Sequence, residues 1–200
     1  MAAKNEDWFE KLQSELEKKR EEVIKNISTE WEKKKELNMN LIEDFWKIWI
    51  QFNKINVHFR MDPPYSEWGQ FIDFPDKWTL KEDFDFSSVA EIALVDLTRE
   101  QNRTGDSLKV FYYTEGEEEK VKMIFQFFEG EEYHKYSGLK RIYSQYVLYD
   151  ESVKKANVDK MRDILLKVIP KWYESHLKGD RDILINYIKK EFEKGETFAV

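Results

Sequence analysis

Between residues 41 and 61 the apolar period of this chain changes from 3.6 to 2. Polar positions Asp44, Lys47, Gln51 and Lys54 follow one another at three, four and three residues. Leu41, Ile42, Phe45, Trp46, Ile48, Trp49, Ile50 and Phe52 fill most of the rest of the circumference. A helix apolar over most of its girth is buried on several sides. From Asn53 onward Ile55, Val57, Phe59 and Met61 alternate with Asn56, His58 and Arg60, which is the period of a strand. The stretch predicts a core helix feeding directly into a strand. Asn40, with Glu43 three residues later, supplies a capping box for that helix.

Upstream, residues 5–37 predict a helix with a narrow apolar stripe. Trp8, Phe9, Leu12, Leu16, Val23, Ile27 and Trp31 recur at helical spacing, while Lys19 and Asn26 occupy two positions that a dry coiled-coil seam wants apolar. A straight helix over 5–53 is about 73 Å long, against a diameter of roughly 40–45 Å for a compact body of this length. The helix is therefore expected to break around Leu37–Asn40 or to protrude.

The middle third alternates with period 2. Strands are expected over 68–74, 89–97, 107–114 and 120–128, the last three joined as antiparallel hairpins by the polar loops TREQNRTGD and EGEEE. Residues 139–149 fit a helix or a strand, and their β-branched and aromatic content favours a strand. Strands 107–114 and 120–128 are apolar on both faces, so both faces need cover. Helix 152–177 is expected on one side and the Trp46/Trp49 helix on the other. Pro170 is expected to kink helix 152–177, Gly179 to end it, and Asp180 to cap a last helix carrying Ile183, Leu184, Tyr187, Ile188 and Phe192. The fold class is thus α+β: a mainly antiparallel sheet of five or six strands flanked by N-terminal and C-terminal helices. Residues 1–200 read as a single domain, with helices over 1–53, a β-rich section over 54–150 and helices over 151–200.

Composition removes several function classes. Cysteine is absent, which excludes disulfides, thiolate metal sites and thiol nucleophiles. The seven glycines are never closer than eight positions, so no phosphate-cradling glycine motif can be written. No apolar run approaches about 18 residues and the N-terminus is charged, which predicts neither a membrane span nor a signal peptide and a cytoplasmic location. Residues 61–150 hold 10 Lys and Arg against 19 Asp and Glu, and no basic stripe elsewhere offsets them, so a nucleic-acid partner is not expected. Charged residues at 36% over 16% aromatics resemble a thermophile's composition.

TGDSL, residues 104–108, resembles the nucleophile block of one family of serine esterases. The resemblance covers five residues and implies Ser107 as nucleophile, with an Asp three residues before a His as its partners. Those positions hold Glu131 before His134 and Tyr173 before His176, so the partners are missing. EGEEYH (Glu129, Glu131, Glu132, His134) offers carboxylate and imidazole ligands, but in a local turn that faces water. His58, His134 and His176 each read singly as surface residues. No catalytic, cofactor-binding or metal residue is assigned, and no cofactor is expected.

Two function classes fit. The first is a non-catalytic interaction protein, a homodimer or partner-docking module, associating through its helices and apolar sheet face. Its self-association residues would be the seven of the N-terminal stripe. The second is a cup for a small apolar or aromatic ligand, with Trp46, Trp49, Phe111, Tyr113, Phe125 and Trp172 as cavity lining or core. An enzyme with a dispersed active site is the third.

Overall fold

The computed structural model describes residues 3–62, 86–97, 105–135 and 138–199. The strand expected over 68–74 lies outside them. Among the described residues three helices accompany a six-stranded antiparallel sheet, an α+β arrangement with helices before and after the sheet.

α1 is one unbroken helix, Ala3–Asn53, about 76 Å long. It does not break at Leu37–Asn40. The side chain of Asn40 is no cap; its amide donates to the carbonyl of Glu36 within the helix (2.8 Å). No Gly or Pro interrupts residues 3–53, so nothing local stops propagation. Where the helix does stop, Asn56 takes a left-handed φ of 59° and the N–H of Val57 reaches back to the Phe52 carbonyl (3.1 Å). That closes the helix end in the manner of a left-handed cap.

The strands β1 (Phe59–Asp62), β2 (Glu91–Asp96), β3 (Ser107–Glu115), β4 (Glu118–His134), β5 (Gly138–Ser152) and β6 (Glu193–Ala199) lie in chain order, each antiparallel to the next. A short 3-10 turn over Phe86–Ser88 precedes β2. α2 (Val158–Lys178) runs on through Pro170; the Asn157 side chain caps its start and Gly179, at φ 62°, caps its end. α3 spans Asp182–Glu191, its first turn held by the Asp180 carboxylate. Segment 139–149 is strand, as its β-branched and aromatic residues require. Two expectations fail in this region. EGEEYH is not a turn but the far half of β4, with a bulge between Phe128 and Gly130. Residues 193–199 form an edge strand with no apolar alternation to announce it.

The register places Met61, Leu94, Leu108, Phe125 and Tyr146 in one row across five strands, all buried. Leu41, Phe45 and Phe52 of α1 and Met161, Leu165, Val168 and Trp172 of α2 join the same core. Trp172 lies 5.5 Å from Phe52 and 4.8 Å from Phe125, ring centre to ring centre. Both helices therefore cover one face of the sheet. α1 does not cover the other, as the sequence pattern had implied. The second face carries Ala93, Val95 and Ile124, also buried, and a hydrogen bond from Ser107 to Gln126 (3.3 Å).

Candidate interaction site

The C-terminal part of α1 is fastened to the body by polar contacts as well as by its core. Asn38 is fully buried in mid-helix. Its amide donates to the carbonyls of Phe86 (2.6 Å) and Val89 (3.2 Å), and its oxygen accepts from the Tyr112 hydroxyl (2.8 Å). Burial, then the charge of Glu119, pushes the Tyr112 phenol well above its ordinary range, so it stays a donor. Further toward the N-terminus Lys34 pairs with Glu119 and Glu30 with Lys154, each at 2.7 Å.

Upstream of Glu30 the helix leaves the body. Residues 11–25 are exposed without exception. The stretch from Ala3 to Thr29 amounts to about 40 Å of projecting helix. Leu12 is 39% exposed, Leu16 57%, Val23 55% and Trp31 43%, and Ile24, which the sequence reading passed over, is 55%. The side chains of Trp8, Phe9 and Ile27 lie outside the described residues. Val23 and Leu41 are five helical turns apart, and Leu16 and Phe52 ten, so the exposed stripe continues the face that packs on the sheet further along.

The six residues expected as cavity lining or core divide. Phe125 and Trp172 are buried against each other. Trp46 and Trp49 are half-buried at the core's edge, where the Trp49 indole donates to the Phe59 carbonyl (2.9 Å). Phe111 and Tyr113 stand on the opposite sheet face, partly exposed and 6.3 Å apart. The structure does not bring these six together. An opening exists elsewhere, as a groove of about 550 Å³ between α1 and α2 lined by Ile48, Phe52, Ile169, Pro170, Tyr173 and Leu177. Glu174 also lines it, and Lys178 and Lys171 hold its carboxyl down at about 2.

At the C-terminal end of α2 two acid–base pairs connect distant segments. His176 Nε2 lies 3.0 Å from Asp96, both nearly buried. Arg181 grips Asp106 through Nε (2.8 Å) and Nη2 (2.5 Å), and Nη2 also donates to the Phe128 carbonyl (2.9 Å). Gly105 beside them is obligatory: a Cβ there would lie 1.5 Å from the Asp96 carbonyl oxygen. Sequence reading missed both pairs. Ser107, the nucleophile of the esterase resemblance, shares the sheet face of Val95, whereas His176 bonds Asp96 on the other. No cluster of three metal-ligating side chains occurs among the described residues. No described helix is long and apolar enough to cross a membrane.

Compared with known proteins, the chain matches no family model, no curated protein and no solved structure.

Proposed function

We propose that this chain is a non-catalytic interaction protein that self-associates through its projecting N-terminal helix. The observation that carries this is the exposed stripe of Leu12, Leu16, Val23, Ile24 and Trp31 on a helix reaching about 40 Å past the body. Apolar side chains scattered singly on a surface need no explanation, but a row at helical spacing on one projecting face marks a contact surface. The rest of the circumference is charged, with a run of EKKREE over 17–22, which keeps the helix solvated on its other sides.

Sedimentation equilibrium tests the reading. The intact chain is expected to be a dimer at tens of micromolar. Leu16→Glu with Val23→Glu is expected to yield a monomer with an unchanged circular dichroism spectrum, since both side chains are exposed on the single chain. Losing two apolar contacts of this size costs about 3 kcal/mol, a hundredfold or more in Kd. A monomeric wild-type chain would remove the reading.

A second reading has one observation in its favour, the apolar groove between α1 and α2. A small apolar guest would sit there and not inside the sheet, whose inner face is filled by Trp172, Phe125 and Phe127. On this reading an environment-sensitive dye binds saturably to the native protein, and Ile169→Asp abolishes the binding. A dye signal that never saturates removes it.

A further inference from the structure

We infer that the partner of the projecting helix is the same helix of a second copy running antiparallel, with Leu12 of one chain opposite Val23 of the other. The inference rests on the self-association reading and adds its direction and register.

A two-fold interface is self-complementary, so with Leu12 of one helix opposite Val23 of the other each contact occurs twice. In the same alignment Leu16 meets Lys19, whose methylene stem covers the leucine while its ammonium reaches water. That accounts for a lysine at a position where a dry seam would want an apolar residue.

Length sets the register. With Leu12 opposite Val23, Ala3 of the second helix falls level with Glu32 of the first. The body begins there, at the ion pairs of Glu30 and Lys34. The overlap thus uses the projecting length and stops where the body takes over the same face. Since the stripe continues the body-facing side of α1, a second helix laid on it occupies the space that the sheet occupies further along. Its own body then lies beyond the N-terminus of the first helix, so the two bodies do not collide. A parallel pair would set both bodies side by side at one end, on a face already committed to each chain's own core.

Disulfide mapping on the full chain tests this, and the absence of native cysteine makes it clean. Leu12→Cys and Val23→Cys chains are prepared separately, mixed in equal amounts and oxidised at a concentration where the wild type is dimeric. The expected product is a disulfide between residue 12 of one chain and residue 23 of the other, at least tenfold over either homodisulfide. A dominant 12–12 or 23–23 product means a parallel pair and overturns the inference while self-association stands. A sedimenting dimer that yields none of the three places the contact elsewhere and also overturns it. A monomer in the sedimentation experiment overturns both readings together.

Discussion

Trp172→Ala is expected to destabilise the protein by about 3–5 kcal/mol. The side chain is 1% exposed. Its ring lies 4.6 Å from Phe59 on β1, 4.8 Å from Phe125 on β4 and 5.5 Å from Phe52 on α1. One indole therefore joins α2 to two separated strands and to the long helix, and truncation leaves a cavity that none of the four elements can close alone. The remaining aromatic neighbours also lose their tilted and edge-on contacts, a contribution beyond area burial. Urea unfolding followed by circular dichroism is the measurement, with the midpoint shifting and the slope unchanged. Trp46→Ala is the control, because that ring is only half-buried at the core's edge and its loss should cost clearly less. Equal losses for the two would mean that the cluster around Trp172 is not the centre of the core.

The parts of this fold legible in the sequence are those where a local period speaks for tertiary burial. The switch at Asn53 from period 3.6 to period 2 marks the end of α1 correctly, and the EGEEE turn closes β3 onto β4 through Gly116 at φ 64°. Asn157 and Gly179 cap α2, although only the glycine was foreseen. The unbroken length of α1 was not legible, because the expected break came from assuming that a chain of this size is compact. Nothing in residues 37–40 interrupts a helix, and Asn38, which looks like a breaker, is tied down by carbonyls 48 and 51 residues away. β6 was hidden for a different reason. An edge strand paired on one side needs no apolar alternation, and EKGETFA shows none.

The projecting stripe was the readable part of the candidate site, since it is periodic and local. The acid–base pairs at the end of α2 were not readable. Asp106 and Arg181 are 75 positions apart, and a single carboxylate after a glycine reads equally well as a turn. Only the folded chain shows that the Asp106 carboxylate accepts three hydrogen bonds, one of them from the N–H of Phe128 beside the β4 bulge (3.0 Å).

That pair carries the second large effect. Asp106→Ala is expected to cost about 3–5 kcal/mol, because it strands a guanidinium whose side chain is only 22% exposed and leaves the Phe128 N–H without its acceptor. Burial works against the Arg181 charge, and the Asp106 carboxylate more than offsets it, so the arginine is held above its ordinary range. Removing Arg181 instead leaves the carboxylate, 8% exposed, still accepting from a backbone N–H. Arg181→Met should therefore cost less than Asp106→Ala. In the double variant no buried charge is left without a partner, so its loss should fall well short of the sum of the two single losses. Urea unfolding of the three variants and the wild type completes the cycle. Additive losses, or a loss below 1 kcal/mol for Asp106→Ala, would mean that water screens the pair and that β3, β4 and α3 are held together by apolar packing alone.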